Sequence, residues 1–495
     1  MTLHRPYSLG LTLSACLCAL SACTVGPDYN GPPRVAADAV HAGRFVRAPA
    51  HGIATAPAPS QWWRVLDDPQ LNALIDAALT YNPDLHAAQA RLREARAQLR
   101  QQQAKQMPNG SIDAAALRAG TSDTNALGSL LGNSSSSGSG TSNSSSSSGP
   151  LTLYTSGFDA TWEIDLFGGT RRAVEAASSE AQAVDADLAD TQVSLTAEVA
   201  QAYIDLRDEQ QRLVLARRTA DLEQQMLALT QQRRAGGTAA EIDVERLTTQ
   251  VETTRATLIP LDEQITESLD ELAVLTGQPP GALDRTLSTQ APLPALPARV
   301  DVGDPAALLQ QRPDIRAAER RLASSNAQIG EHIADYFPKV NLFGDLGYTA
   351  TDPAHLVRKS SFSWMGVPYL QWNILDFGST QDSVRSAQAS RDEAQARYTK
   401  TVLAALQDAN DALSRYGHQR EHLATLQRVQ ISADRSATLM RQRYTAGVST
   451  LIDLLDTQQT QFDAQQNVVA GQAALLKDFV SLQKSLGLGW QSSPG

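Results

Sequence analysis

The chain has 495 residues, a formal net charge of −11 at pH 7 and an aromatic content of only 5%. The acidic balance argues against nucleic acid as a partner, because no basic stripe is available to bind phosphates. The hydrophobic residues are mainly alanine and leucine, which suits long helices better than one large globular core.

The N-terminus has the pattern of a processing signal. His4 and Arg5 precede an apolar stretch at 9–20 that is too short to span a bilayer as a helix. The stretch leads into Leu20-Ser21-Ala22-Cys23, which resembles a bacterial lipobox. We therefore expect 1–22 to be a lipoprotein signal peptide and Cys23 to carry a diacylglycerol and an acyl chain. The alternative is an ordinary secretory signal with an incidental cysteine.

After Cys23 the sequence predicts elements in a regular order. A Pro-, Ala- and Gly-rich segment, 23–60, is expected to be an extended tether. The first half then has helix 68–105 interrupted at 82–84, strand 111–119, a Ser/Gly tract at 133–148, strand 152–166, helix 171–234 and a last helix ending near Leu275. The second half has helix 305–335, strand 340–348, strand 362–374, helix 380–444 and a last helix ending near Leu486.

The two halves are copies of one unit. Asn82-Pro83-Asp84-Leu85 reappears as Arg312-Pro313-Asp314-Ile315, offset by 230 positions. Trp162 and Phe167-Gly168 reappear as Trp372 and Phe377-Gly378, offset by 210. The offset changes at the Ser/Gly tract, which only the first copy has and which we expect to be a flexible surface loop. We expect structural repeats at 61–290 and 291–495.

The predicted helix lengths indicate a cylindrical wall. At 1.5 Å per residue, helix 380–444 is about 100 Å long, whereas 305–335 and 451–486 are about 45 and 55 Å. Two short helices placed end to end therefore match one long helix. Leu188, Leu195 and Ala202 recur every seven residues, as laterally packed helices require. The alternative, a long isolated coiled coil, is disfavoured by the strands between the helices.

The predicted strands have one apolar and one polar face. In 152–166, Phe158, Trp162 and Ile164 alternate with Asp159, Thr161 and Glu163. No later segment approaches 18 apolar residues, so the chain can cross a membrane only as part of a closed β-barrel. Four strands are too few to close one. We therefore predict a mainly α-helical protomer with four strands and long antiparallel helices, several copies of which build one transmembrane barrel.

These features together resemble the TolC-like outer-membrane efflux protein family, in particular its lipid-anchored, NodT-type branch. The motifs that carry the resemblance are Cys23-Thr24-Val25-Gly26-Pro27-Asp28-Tyr29, Trp62-Trp63, Arg312-Pro313-Asp314-Ile315, Trp162-Glu163-Ile164-Asp165-Leu166-Phe167-Gly168 and Tyr444-Thr445-Ala446-Gly447. The resemblance implies a homotrimer with a 12-stranded outer-membrane barrel and a periplasmic α-helical tunnel. It implies a passive exit duct for small molecules such as drugs, working with a periplasmic adaptor and an inner-membrane pump. Thr24 after the cysteine, in place of Asp, implies the outer membrane.

A conduit needs no catalytic site, and the sequence offers none. No cofactor beyond the lipid on Cys23 is expected. His418 and His422 have a zinc-like spacing, but without a third ligand nearby they are interpreted as two exposed side chains. Two other functions remain open: a duct for type I protein secretion, and a structural periplasmic coiled-coil lipoprotein.

The last helix of the second copy carries a candidate periplasmic gate. Asp453 and Asp456 share a helix face, and in a trimer they would form acidic rings that favour cations. By resemblance, the constricting aspartates of the family align with these two. The first copy has Asp243 at the first equivalent position and Arg246 at the second, which suggests a latch between Arg246 and an acidic neighbour. The alternative is an ordinary helix start, where the helix dipole favours Asp.

Two glycine turns precede the last helix of each copy. Ala235-Gly236-Gly237-Thr238 and Ala446-Gly447-Val448-Ser449 are predicted helix C-caps with glycine in the left-handed conformation. By resemblance, Gly236, Gly237, Gly447 and Val448 mark the periplasmic tips that dock the adaptor.

Overall fold

The computed structural model describes residues 24–38, 43–49, 51–119 and 151–490. Cys23 and the Ser/Gly tract lie outside these residues. The strands are β1 (Ile53–Ala54), β2 (Asn109–Ala119), β3 (Leu151–Ile164), β4 (Val300–Asp301), β5 (Lys339–Ala350) and β6 (Phe362–Gln371). The helices are α1 (Pro69–Tyr81), α2 (Pro83–Ala104), α3 (Gly169–Ala235), α4 (Glu241–Ala256), α5 (Leu258–Leu275), α6 (Asp284–Leu287), α7 (Pro305–Gln311), α8 (Pro313–Ala334), α9 (Ser379–Thr445) and α10 (Leu451–Ser485).

The chain divides into two compact units. The first takes in the described parts of 1–30, 96–178 and 323–392, and the second those of 31–95, 179–322 and 393–495. The protein is mainly α-helical, as predicted. Among the described residues, no helix is both long enough and apolar enough to cross a membrane.

The first unit contains an antiparallel sheet with the strand order β2-β3-β5-β6. In the first hairpin Asn109 pairs with Thr161, and in the second Lys339 pairs with Gln371. Lys339 is the counterpart of Asn109 under the offset of 230, and Gln371 is the counterpart of Thr161 under the offset of 210. The two hairpins therefore have the same register.

Side chains alternate between the two faces of the sheet. β3 and β5 are amphipathic, whereas the second face of β6 also carries Met365, Val367 and Tyr369. One transverse row is Ile112, Phe158, Leu346 and Trp364. The neighbouring row, on the other face, is Ser111, Asp159, Asp345 and Met365. The apolar row is exposed in the single chain, so this face has no partner within the described residues.

Equivalent aromatic residues tie the helix ends to the sheet. The indole Nε1 of Trp162 donates to the carbonyl oxygen of Gln106 at 3.0 Å, and that of Trp372 donates to Tyr336 at 3.0 Å. Phe167 stacks on Phe337 with ring centroids 4.5 Å apart. The first two contacts are the same contact made once in each copy.

The second unit has a core of helices in which the predicted heptad positions are buried. Leu188, Leu195 and Ala202 all lie in this core. Trp62 and Trp63 are fully buried and pack edge to face. These contacts agree with the lateral packing predicted from the sequence.

Equivalent polar contacts close the end of each copy in the second unit. The Asn82 side chain donates to the carbonyl oxygen of Leu275 at 3.0 Å, and Arg312 donates to that of Ser485 at 2.8 Å. Ser485 is the counterpart of Leu275 under the offset of 210. Each contact joins the start of an early helix to the end of the last one.

Two helices predicted as continuous are broken. The helix predicted over 305–335 stops at Arg312, whose backbone is extended (ψ 121°) because Pro313 follows it. The last helix of the first copy breaks at Thr257, between α4 and α5. Pro260, in the first turn of α5, has no N–H to bond the carbonyl of Ala256.

The predicted tether has contacts of its own in the second unit. β1 pairs in parallel with β4, a pairing that the sequence did not reveal. Arg420 donates to the carbonyl oxygen of His51 at 2.8 Å, and the backbone N–H of Arg47 donates to Asn410 at 3.1 Å. This part of 23–60 is therefore docked along α9 rather than serving only as a spacer.

Candidate functional site

The ends of four helices meet at the candidate gate in the second unit. Leu227 of α3, three residues of α4 and Leu451 of α10 form a buried cluster, which Tyr444 of α9 packs against. The α4 members are Val244, Leu247 and Val251. This apolar cluster fixes the starts of α4 and α10, where the predicted gate residues lie.

Each long helix ends in the same hydrogen-bonded turn. Gly237 (φ 74°) and Gly447 (φ 75°) are left-handed, as predicted for C-caps. The N–H of Thr238 donates to Arg233 at 2.8 Å, and that of Val448 donates to Arg443 at 3.0 Å. These bonds belong to Schellman motifs.

The remaining tip residues differ in what they do. Gly236 is not left-handed: it stands one position earlier, and its N–H still bonds the helix at Gln232. Glycine conformation is therefore required at Gly237 but not at Gly236. Val448 exposes 63% of its surface, so an apolar side chain stands free at the turn of the single chain.

Asp453 forms a capping box at the start of α10. The backbone N–H of Thr450 donates to Oδ2 of Asp453 at 3.1 Å, and the Thr450 hydroxyl donates to the same oxygen at 2.7 Å. In return the N–H of Asp453 donates to the Thr450 hydroxyl at 3.2 Å. The Thr450 hydrogen bonds lower the pKa of Asp453, so its carboxylate stays ionised. Asp453 therefore caps the start of α10, as in the alternative interpretation of an ordinary helix start.

The first copy has only half of this arrangement. The N–H of Ala240 donates to Asp243 at 3.4 Å, and alanine has no hydroxyl with which to return a bond. Asp456 and Arg246 are exposed on the next turns of α10 and α4. Arg246 has no ion pair within the part of the chain that the structure describes. Its latch with an acidic neighbour stays a prediction.

Two arginines cross-link the tip region. Arg234, at the end of α3, forms an ion pair with Glu241, at the start of α4. The guanidinium of Arg233 lies 5.8 Å from the ring centroid of Tyr444 on α9. Arg233 and Arg234 were not predicted as site residues from the sequence, although basic residues in the last turn of a helix are a known signal.

A second candidate site lies in the first unit, directly after Cys23. Arg172 is buried, and its guanidinium donates to the carbonyl oxygens of Val25 (3.1 Å) and Gly26 (3.3 Å) and to the carboxylate of Asp28 (2.6 Å). The N–H of Val25 donates to the carbonyl oxygen of Phe167 at 3.1 Å. We call residues 24–28 with these contacts the N-terminal clamp.

Close packing completes the N-terminal clamp. The Asn326 side chain donates to the carbonyl oxygen of Pro27 at 2.9 Å. A Cβ added to Gly26 would lie 2.4 Å from the Cα of Gly330, so only glycine fits there. The motif after the cysteine is therefore a docking sequence for α3 and α8.

Glu209 has a perturbed pKa that was not predicted from the sequence. It lies on α3 in the second unit and accepts a hydrogen bond from Ser268 at 2.9 Å. Burial raises its pKa to about 7, and Asp205 and Asp208 on the same helix add to the rise. The three acidic residues close together on α3, Asp205, Asp208 and Glu209, could have indicated this site from the sequence. Elsewhere, His418 and His422 are exposed, and the described residues contain no cluster of metal-ligating side chains.

Comparison with known proteins identifies the family. The model of the outer membrane efflux protein family matches residues 74–278 and 305–488. The chain belongs to the outer membrane efflux protein family. Members of this family are channels, so the resemblance drawn from the motifs is confirmed, and the chain is an exit duct of the outer membrane.

Relatives match this efflux protein over nearly its whole length. The antibiotic efflux pump outer membrane protein ArpC of Pseudomonas putida is 30% identical, covering 98% of this chain and 96% of that protein. The outer membrane protein OprJ of Pseudomonas aeruginosa is 29% identical, covering 98% and 97%. The solved outer-membrane channel OprN has a TM-score of 0.83 at 34% identity, covering 94% of this chain and all of that one. The open MtrE channel of Neisseria gonorrhoeae shares the fold, with a TM-score of 0.78 at 24% identity.

Proposed function

We propose that three copies of this chain form the passive outer-membrane duct of a tripartite efflux system that exports small molecules such as drugs. Its partners are a periplasmic adaptor and an inner-membrane pump. Relatives that match over nearly their full length support this, since they are named for antibiotic and toluene efflux. The same names favour efflux over type I protein secretion. The four-stranded sheet argues against a purely structural coiled coil.

The observation that carries the proposal is the four-stranded sheet, whose edge strands β2 and β6 each pair on one side only within the described residues. Three sheets of four strands give twelve strands, an even number that can close into a barrel. The apolar row through Phe158 and Trp364 would face lipid, and the polar face would line the lumen. That polar face carries Asp113, Asp159, Glu163 and Asp345 against Lys339, which supports a preference for cations.

The N-terminal clamp supports lipidation of Cys23. It holds the residues that directly follow the cysteine against the first unit, which contains the proposed membrane-spanning sheet. An anchor at Cys23 would thus enter the membrane close to the barrel. Mass spectrometry of the mature N-terminus tests this, since the alternative, an ordinary secretory signal, leaves no acyl chains.

The periplasmic gate is assigned to Asp456 and Asp453 on α10, with Asp243 and Arg246 on α4 as its pseudo-symmetric neighbours. Asp456 is the informative residue, because it is exposed and takes no part in the capping box. Asp456→Asn should raise single-channel conductance in planar bilayers and lower cation selectivity, since it removes one ring of three charges.

A matched control separates the gate from general pore charge. Asp463→Asn makes the same change at another exposed position of α10, farther from the tip. We expect this variant to conduct like the wild type. Equal effects of the two substitutions would contradict the gate assignment.

The turns at Gly236-Gly237 and Gly447-Val448 are assigned to adaptor docking. A Cβ placed on Gly237 or Gly447 would meet no atom within 4 Å, so both turns are open to a partner. Val448→Asp leaves the left-handed residue intact, so the trimer should assemble and conduct normally while pump-dependent drug resistance is lost. Normal resistance in that variant would rule out docking at this turn.

A further inference from the structure

The α-helices join the four-stranded sheet at one of its two ends. β2 follows α2 and β5 follows α8, whereas β3 and β6 lead into α3 and α9. The opposite end therefore includes the last residues of β2 and the connection 351–361 between β5 and β6. We call Arg118 and the connection 351–361 the outer rim, because the proposed barrel places this end away from the periplasmic helices.

Arg118 is a charged residue on the apolar face of the sheet. It pairs with Thr152, so it lies on the same face as Ile112 and Phe158. The other charged residues of the four strands all lie on the polar face, and they are Asp113, Asp159, Glu163, Lys339 and Asp345. Arginine facing lipid is unfavourable at the middle of a bilayer and nearly neutral at its surface. Arg118 is the tenth of the 11 residues of β2, which suits the level of the lipid headgroups.

The connection 351–361 brings two more cations to the outer rim. Backbone hydrogen bonds order it, and one of them joins the N–H of Arg358 to the carbonyl oxygen of His355 at 3.2 Å. Arg358 and Lys359 are exposed. Within the described residues, neither they nor Arg118 form an ion pair. Asp352, the acidic residue of the connection, caps its first turn instead. A chain with a net charge of −11 thus presents positive charge at this end.

Aromatic side chains lie next to these cations on the apolar face. Tyr348 and Phe362 pair across β5 and β6 at the outer rim, with ring centroids 5.4 Å apart. Trp364 is the next residue of β6 on this face and is 77% exposed. Such residues are typical of the level at which lipid headgroups meet acyl chains. The outer rim therefore combines a surface for acyl chains with a surface for anions.

The cations stand at two separate places, which indicates the kind of lipid. Neighbouring strands are about 4.8 Å apart, so β2 with Arg118 lies about 10 Å from β5, where the connection begins. A headgroup with a single phosphate reaches one of these places, whereas a headgroup with two separated phosphates reaches both. Arginine is suited to phosphate because its planar guanidinium donates two parallel hydrogen bonds.

We propose that the outer rim binds a diphosphorylated lipid of the outer leaflet. Arg118 pairs with one phosphate, and Arg358 and Lys359 pair with the other. The acyl chains cover Tyr348, Phe362 and Trp364. This assignment rests on the proposed barrel, and it names a lipid partner for its outer end.

Native mass spectrometry of the detergent-purified full-length protein, titrated with diphosphoryl lipid A, tests the site. Arg118→Gln, and Arg358→Gln combined with Lys359→Gln, should weaken binding about five-fold for every charge removed. Arg118→Lys should weaken it less than Arg118→Gln, because the charge remains. Lys105→Gln is the matched control, since it removes an exposed cation of the same unit at the end that the helices join. Equal losses in Lys105→Gln and the outer-rim variants would overturn the site.

Two other lipids separate the phosphate contacts from the acyl-chain contacts. Monophosphoryl lipid A should bind the wild type more weakly than the diphosphoryl form does, and the difference should shrink in Arg118→Gln or in the double variant. Zwitterionic phosphatidylethanolamine should bind the wild type and the variants equally. A matching loss of phosphatidylethanolamine would show that the surface recognises acyl chains alone and would overturn the proposal.

The same spectra distinguish failure of the outer rim from failure of the proposed trimer. Trimers of all variants that bind diphosphoryl lipid A like the wild type would overturn the outer-rim site. Displacement of the lipid by an equal concentration of inorganic phosphate would identify a free-anion site and would overturn the lipid assignment. A monomeric native mass would overturn the proposed trimer itself.

Discussion

Removal of the Arg172 side chain should release the N-terminal clamp. A hydrogen bond to a charged group contributes about 1.5–3 kcal/mol, but the released carbonyl groups regain water. The Asp28 side chain is 77% exposed, so its ion pair with Arg172 contributes about 0–1 kcal/mol. We therefore expect Arg172→Ala to weaken docking of residues 24–28 by about 2–4 kcal/mol. At about 1.4 kcal/mol per factor of ten, amide exchange at Val25 should accelerate roughly 30- to 700-fold.

Hydrogen exchange with mass spectrometry measures this directly on peptides that cover 24–30. Arg171→Ala is the matched control, since Arg171 is adjacent on α3 and its guanidinium contacts Asp165. Arg172→Lys should fall between the two, because an ammonium keeps the charge and loses the fork of donors. Unchanged exchange at 24–30 in Arg172→Ala, with β5 equally protected, would refute the clamp.

Three further substitutions test the helix caps and the partly buried Glu209. Thr450→Ala should destabilise the start of α10 by about 1 kcal/mol, and Ala240→Thr should stabilise the start of α4. Both effects are measured as shifts in melting temperature. A lower melting temperature in both variants would contradict the capping roles of these residues. Burial raises the pKa of Glu209 from 4.5 to about 7, so the folded state holds its proton more tightly. The stability of the wild type should therefore fall as the pH rises from about 4.5 to about 7. In thermal melts between pH 4 and 8, Glu209→Gln should show a smaller fall in melting temperature. The same pH dependence in both proteins would exclude Glu209 as its cause.

Local patterns made most of the fold predictable. The alternation in 152–166 and the helical period after Phe167 lie within single elements, and the structure agrees with both. The interruption at Asn82 was predicted, whereas the equivalent break at Arg312 was missed, although Pro313 restricts its neighbour in the same way. A proline within a periodic segment therefore ends a helix even where the apolar period continues.

Contacts between distant residues were not predictable from the sequence. Arg172 and Asp28 are 144 positions apart, and no pattern in either segment indicates that the two side chains form an ion pair. β1 and β4 are two residues each, too short for any periodicity to show. At the candidate gate, the carboxylates of Asp453 and Asp456 were predicted together, yet only Asp453 takes part in the helix cap.

The register of the sheet also fixes how far its strands lean. Directly across the strands, Gly110 of β2 pairs with Ala160 of β3, which pairs with Gly344 of β5. Gly344 is the counterpart of Ala114, which lies four residues after Gly110 in β2. The register therefore shifts by four residues for every two strands crossed. In a closed ring of twelve strands that repeats this step, the accumulated shear gives a tilt of about 55°, steeper than the usual 35–45°. β5 has 12 residues. Upright it would stand about 40 Å tall, but at this tilt it covers about 23 Å, close to the apolar band of an outer membrane.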